Sequence, residues 1–485
     1  MLFQVLAAVS LATPIAPRSR GTTRLGFGSC SRVEKDQPLW PHIATAGLDA
    51  WIWGGDAIYA DERHACVSFF VHRKGAELGA CVSRLRDSVL GRARPAWMVR
   101  DNTHFTPARP ERIERLYRAQ LADAGYAAFL KDLRRGDEFA DPSRIIGTWD
   151  DHDFGIDDGD RTYAFKAEAR LAFARFIAAS GRGGDAAAWA ATSGIGSTVG
   201  EEGEGVYRAV LIGAPPRQVM VVLLDLRYFK APWAAGSGGT MLGERQERWL
   251  QRTLRASKAQ VHLIVSSLQV LATQRNFNAQ AENWERFPRA REALLSTLLA
   301  SGVGAPLILS GDVHFAEIAR VACVGHQAGL PRPAAQRDLY EVTSSGMTHA
   351  WGGRNDSAGR APRFGLMRRM VTAAFAHMPW RYSLAHYRFV NWLEIEIEWE
   401  RGVVHARVIG VDGDAKIEQA WALHNGSTTA HQPSLAAWGG SGDSGSSSSG
   451  APDLEWSCAP TDGEVGLLCT VTFHANHAHN LTRSP

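Results

Sequence analysis

The chain has 485 residues, 45% of them apolar and 21% charged, with a formal net charge of +3. That length allows two to four domains around a large core, and the near-balanced charge lacks the basic excess of a nucleic-acid-binding protein. Past the first residues no run reaches the ~18 apolar residues that a membrane-spanning helix needs.

Met1 to Ala16 is apolar, with small residues where a signal peptidase could cut, but it has no positive n-region. The arginines that follow, Arg18, Arg20 and Arg24, also fit an organelle transit peptide, and a first buried strand is the third reading. We take residues 1–20 as a targeting segment. That points to the secretory pathway or the extracellular space, with an organelle or the cytoplasm left open. Six cysteines are scattered without a C-x-x-C pair, which argues against a zinc knuckle. Cys66 with Cys81, and Cys458 with Cys469, are the pairs able to bridge in an oxidising compartment. Asn355, Asn425 and Asn480 open glycosylation tripeptides that also arise by chance.

Arg24 to Cys30 reads as a strand running into a Gly-Ser turn, and Pro38 to Ala46 as a short helix. The apolar run Leu48 to Trp53 is a buried strand closed by Gly54-Gly55, with Asp56 and Tyr59 just past its carboxyl end. Residues 63–108 carry no sustained period and read as an insertion. Helical spacing returns over Pro110 to Ala122 and Tyr126 to Arg135. Arg144 to Trp149 is a strand leading into Asp150-Asp151-His152-Asp153-Phe154-Gly155, followed by an amphipathic helix over Tyr163 to Ala179.

Residues 180–205 are rich in Gly and Ala and read as a loop. Val206 to Ile212 and Gln218 to Leu224 form an antiparallel pair that delivers Asp225-Leu226-Arg227-Tyr228. Then come a helix over Glu244 to Ala256, a strand over Val261 to Ser266, a helix over Arg289 to Ala300, and a strand over Pro306 to Ser310 that ends in Gly311-Asp312-Val313-His314. Leu339 to Thr343 is a strand, and Asn391 to Glu398 with Val403 to Val408 alternate as a β-hairpin. Residues 424–450 read as a Gly/Ser-rich linker and 451–485 as a short tail of unknown role.

Four strand ends therefore carry ligand-type residues: Cys30, Asp56 with Tyr59, Asp150 to His152, and Asp312 with His314. Carboxyl ends of strands are where open α/β sheets place ligand chemistry. Three carboxylates and an imidazole in a row repel or protonate unless a cation offsets them. As a solvated turn each motif is unremarkable, but four in one chain point to a metal site. A carboxylate and a phenol are both hard oxygen ligands, and a deprotonated phenolate suits a trivalent metal.

These motifs, G-S-C at 28–30, G-D-A-I-Y at 55–59, W-D-D-H-D-F-G at 149–155, L-D-L-R-Y at 224–228 and G-D-V-H at 311–314, resemble PhoD-like alkaline phosphatases of the calcineurin-like metallophosphoesterase class. The resemblance spans residues 24–423 and implies an α/β fold, a metallophosphoesterase-type four-layer α/β/β/α sandwich with its metals at the sheet edges. It implies that Cys30, Asp56, Tyr59 and His314 hold Fe(III), and that Asp56 bridges to a calcium site completed by Asp151 and Asp312. His152 would protonate the leaving oxygen or stabilise the transition state. Arg227 would contact the phosphate, since a guanidinium matches phosphate oxygens bidentately; its bland alternative is a partner for Asp225. Asp157 departs from the family, which commonly has Asn there to donate to phosphate. Gln269 follows the Val261 strand where related enzymes place a metal-binding His, and is not assigned to the site.

The implied function is metal-dependent hydrolysis of small phosphate esters, mono- or di-, by an enzyme expected to be monomeric. The alternative is a metal- or phosphate-binding homologue with little turnover, for which Asp157 is the one hint.

Overall fold

The computed structural model describes residues 14–19, 21–63, 105–134, 144–184, 204–271, 282–301, 303, 306–327, 335–354, 383–424, 427–429, 454–460 and 467–473. The helix expected over 126–135, the loop over 180–205 and the insertion over 63–108 are only partly covered. Cys66, Cys81 and the three Asn of the glycosylation tripeptides lie outside the described residues.

Two twisted sheets carry the fold. In the first, the parallel trio β1 (Thr22–Gly28), β2 (Ala50–Gly54) and β5 (Ile145–Thr148) is continued by antiparallel β13 (Asn391–Glu398), β14 (Val403–Gly410), β15 (Ala415–His424) and β16 (Ser427–Thr429), in the order β16-β15-β14-β13-β1-β2-β5. In the second, β6 (Arg208–Ala214) pairs antiparallel with β7 (Arg217–Leu223). From there β8 (Val261–Val265), β9 (Leu307–Ser310) and β11 (Ala335–Ser344) run parallel. A long β10 (Ala316–Gln327) then folds back on β11, with β12 (Ser383–Tyr387) and β17 (Leu454–Pro460) along different stretches of it.

The chain after residue 450 thus extends this sheet through β17 and antiparallel β18 (Leu467–Phe473). Their register sets residue 458 opposite residue 469. The described residues on either side of the unreadable segment meet: β3 (Glu62–Arg63) pairs antiparallel with β4 (Phe105–Thr106).

Three apolar layers alternate with the sheets. Between the sheets lie Phe27, Ile52, Ile146, Val221, Leu263, Leu309 and Leu393. The outer face of the first sheet is covered by α1 (Trp40–Thr45), α2 (Pro110–Ala122), α3 (Ala124–Leu133) and α5 (Lys166–Gly181), packed on Trp51 and Trp53. On the outer face of the second sheet, α6 (Gly243–Ala256) and α7 (Pro288–Ala300) bury Trp249, Leu250, Leu294 and Leu298 against Ile264 and Ile308.

Strands β2 and β8 are buried along their whole length, which is why they read as apolar runs, broken in β8 only by the buried His262, rather than alternating ones. Trp40, Trp51 and Trp53 meet at 5.2–5.7 Å between ring centroids, and Tyr126 takes the Trp53 indole N–H at 3.2 Å. Several of the chain's tryptophans therefore belong to the platform beneath the strand ends, each contributing about 1.5–3 kcal/mol of burial or more. Among the described residues no helix is long and apolar enough to cross a membrane.

Candidate metal centre

All the parallel strands of both sheets point their carboxyl ends to one side, and the sequence puts ligand-type residues immediately after four of them. Local backbone there is held against its own preference. Among the described residues only five non-glycines have positive φ: Cys30 (60°), Asp56 (52°), Asp158 (54°), Asp312 (69°) and His314 (59°). A left-handed conformation costs such residues roughly 1–3 kcal/mol each and persists where the surroundings impose it.

What imposes it is a set of close backbone approaches. Ser31 N–H donates to Asp56 O at 2.7 Å, and Gly311 N–H to Ser267 O at 3.0 Å. At Gly55 (φ 109°) a Cβ would sit 2.6 Å from that of Asp150, and at Gly311 one would sit 2.4 Å from Ser29 Oγ. Gly55 thus lets the loops after β2 and β5 close up, with Ser267 of the other sheet 3.2 Å from the same point, and Gly311 lets the loops of the two sheets touch.

The donors converge as a result. Cys30 Sγ lies 3.7 Å from Asp56 Oδ2 and 3.1 Å from Ser345 Oγ, while Tyr59 Oη is 3.0 Å from His314 Nε2. Asp56, Asp150, Asp151 and Asp312 each offer an oxygen within 4.8 Å of the others. Asp56, Asp151 and His152 meet the same test, as do Asp151, Asp158 and Glu282. Asp150 Oδ2 is buried with no hydrogen-bond partner.

Burial, then Asp151, Asp150, Asp153 and Asp312, push Asp56 well above the carboxylate range. Burial, then Asp150 and Asp151, do the same to Asp312. Burial with Asp56 and Asp312 raises the Cys30 thiol, and burial with Cys30 and Asp56 raises the Tyr59 phenol. Burial, then His152, lowers His314 to about 3, so it is neutral and able to ligate. The carboxylates, thiol and phenol that raise one another's affinity for protons in this way fit cations, which would reverse those upward shifts and keep the His314 ring neutral.

Around this set stand groups with other tasks. Asp153 accepts from the backbone of Ala57 (3.3 Å), Ile58 (3.2 Å) and Asp150 (3.1 Å), and from Tyr117 Oη (3.1 Å), so it fastens the Asp56 loop to the short helix α4 (Asp151–Phe154). Asp61 accepts from His152 Nδ1 at 2.7 Å and from Asp157 N–H at 2.9 Å. Burial would lower the basicity of His152, but Asp61, Asp151 and Asp157 outweigh it and hold the ring protonated well above its usual range.

Arg227 has no exposed surface. Its backbone N–H does reach Asp225 Oδ1, at 2.9 Å, but its guanidinium is taken up by Asp150 (2.5 Å) and Glu282, the latter also paired with Lys230. The structure thus turns its donors toward carboxylates and away from solvent. Gln269 likewise faces Glu317 (2.9 Å) and Thr343 (3.0 Å) in a neighbouring buried network. Because Arg227 neutralises Asp150 and Glu282, Arg227→Gln is expected to lower stability by about 3–5 kcal/mol. Denaturant unfolding measures it, and a loss below ~1 kcal/mol would mean that the network relaxes around the gap.

Cys30, Asp56, Tyr59, Asp151, His152, Asp312 and His314 are therefore brought to one place, with Asp157 half-buried beside His152. Sequence reasoning missed Asp61, Asp158, Glu282 and His349. The His349 ring lies 4.4 Å from that of His314 and 5.1 Å from that of Tyr59. Asp61 was within reach, since it stands two residues after Tyr59. Glu282 had no local signal.

Fold and site together define a mixed α/β protein with a candidate polynuclear metal centre at the shared edge of two sheets. The PhoD-like phosphatase family model matches residues 125–378, more than half of the chain, and the chain belongs to that family. Alkaline phosphatase D of Bacillus subtilis (strain 168) is 31% identical over 81 residues, which are 16% of this chain and 14% of that protein. The chain thus spans a small part of the curated relative it matches. A solved structure of PhoD shares the fold, with a TM-score of 0.51 at 14% identity over 87% of this chain and 73% of that one. Cys30, Asp56 and Tyr59 precede the family match and reach the site only through the fold.

Proposed function

We propose that the protein is a metal-dependent phosphoric-ester hydrolase. The observation that carries this is the meeting of Cys30, Asp56, Tyr59, Asp151, Asp312 and His314, four of them with strained backbone, at the carboxyl edge of two sheets. The three alternating apolar layers support reading the architecture as an α/β/β/α sandwich.

On ligand chemistry, Cys30, Tyr59, His314 and Asp56 suit Fe(III), and Asp56, Asp150, Asp151 and Asp312 suit calcium. Bound there, the cations would neutralise phosphoryl oxygens and acidify a water toward hydroxide near neutral pH. Water attacks phosphorus in line as the bond to the leaving oxygen breaks. His152, its Nδ1 held by Asp61, turns Nε2 to the site and gives that oxygen its proton. The Tyr59 ring, 4.2 Å away and tilted by 31°, keeps the imidazole from swinging.

The test is metal analysis of the purified protein beside hydrolysis of p-nitrophenyl phosphate and its bis-ester, with and without calcium and after chelation. Iron near one per chain with calcium-dependent turnover is the expected result. Metal without turnover favours the second reading, a binding homologue, for which Asp157 beside His152 is the supporting observation. Neither metal nor turnover overturns both.

A further inference from the structure

The buried cations of this site are already committed, which raises the question of what meets the substrate's phosphate from the open side. Arg227 and Lys230 are fully buried and paired with Asp150 and Glu282. Two others remain on the loop that leaves Cys30. Arg32 has its backbone N–H fixed on Thr348 Oγ1 at 2.9 Å, and its carbonyl accepts from Lys35 N–H at 2.9 Å. Its guanidinium carbon lies 4.3 Å from the centre of the Tyr59 ring. The side chain is half-buried, with an Nε that is shielded from water and has no hydrogen-bond partner.

Neither Arg32 nor Lys35 makes an ion pair among the described residues, although Asp36, next in the chain, pairs with Arg354. The contact with Tyr59 sets Arg32 on the Tyr59–His314 side of the cluster, and the bond from Lys35 N–H to the Arg32 carbonyl keeps Lys35 on the same turn of chain.

We propose that Arg32, backed by Lys35, is the phosphate clamp of this site and that it selects phosphomonoester dianions over phosphodiester monoanions. This deepens the reading of the site as a phosphoester hydrolase and rests on it. A monoester carries three terminal oxygens and a second negative charge at neutral pH. A bidentate guanidinium matches the oxygens left outside the metal cluster, and the ammonium beside it answers the extra charge. A diester has one terminal oxygen fewer and brings a second ester group to the same opening. Stacking on Tyr59 keeps the guanidinium flat and oriented while leaving its edge free.

The experiment compares the metal-loaded wild type with Arg32→Gln, Arg32→Lys and Lys35→Gln on p-nitrophenyl phosphate and its bis-ester, with metal content measured for each. For Arg32→Gln, kcat/KM on the monoester is expected to fall about 10–100-fold, as for loss of a charged hydrogen-bond pair. The diester falls by a smaller factor, and inhibition by inorganic phosphate weakens in parallel. Arg32→Lys recovers part of the loss, and Lys35→Gln shows the same preference more weakly. Equal losses on both esters, no loss, or a loss that follows metal content overturns the proposal. If the wild type turns over neither ester, the hydrolase reading is what fails. The clamp is then decided by calorimetric binding of inorganic phosphate, which Arg32→Gln must weaken at least about tenfold.

Discussion

Asp56→Asn is expected to leave a folded protein with no bound transition metal and no measurable hydrolysis of p-nitrophenyl phosphate. Asp56 is the carboxylate common to both halves of the cluster. One oxygen lies 3.7 Å from the Cys30 thiol, and the group stays within 4.8 Å of Asp150, Asp151 and Asp312. An amide keeps the shape and an acceptor for the His152 N–H, which now bonds Asp56 Oδ1 at 3.3 Å. It gives up the charge that two cations would share. The stability effect has the opposite sign: removing one of several mutually repelling buried carboxylates should raise the melting temperature of the metal-free protein. Metal analysis and thermal unfolding of the chelated variant check both halves. Retained activity would show that Asp56 does not bridge the two sites.

His152→Ala should lower kcat by about 10²–10⁴, the usual contribution of a positioned general acid, while metal content stays at the wild-type level. Asp61→Asn should act in the same direction and less strongly, because the amide still orients the ring but no longer stabilises the imidazolium. The alternative is built into the geometry, since Asp56, Asp151 and His152 also converge closely enough to hold an ion. Loss of metal from His152→Ala would make this imidazole a ligand and leave the leaving oxygen to another donor.

The strand ends were legible because each is a short apolar run stopped by Gly or Asp, and β2, β5 and β9 follow those runs closely. The ligand residues stood at the stops. What the sequence hid is tertiary in origin. β10 mixes Ala, Arg, Gly and Cys and offers no clean period, although it links β11, β12 and β17. Strand β15 and the tail strands were missed as well, although Leu454 to Cys458 and Cys469 to Phe473 alternate with the strand period. Arg227 could not be read as buried, because its partner Glu282 is 55 residues away in the chain and arrives from the far side of a helix–strand unit. Asp150 and Asp153 looked like one acidic run. The fold splits it, giving Asp153 to the backbone of the Asp56 loop and Asp150 to Arg227.

Ile15 ties the start of the described chain to an edge of the second sheet. Ile15 has no exposed surface and bridges in parallel to Ile212, with both of its backbone groups bonded at 2.8 Å to Leu211 and Gly213. It covers β6, the edge strand of the second sheet, and Arg144 donates to the carbonyl of the next residue, Ala16, at 3.0 Å. A protease cutting after Ala16 would remove this cover and leave unpaired backbone groups along a sheet edge, where another chain can add. Removal of residues 1–16 is therefore expected to free the Leu211 carbonyl and the Gly213 N–H on this edge, and size-exclusion chromatography of a chain starting at Pro17 would show any self-association that follows.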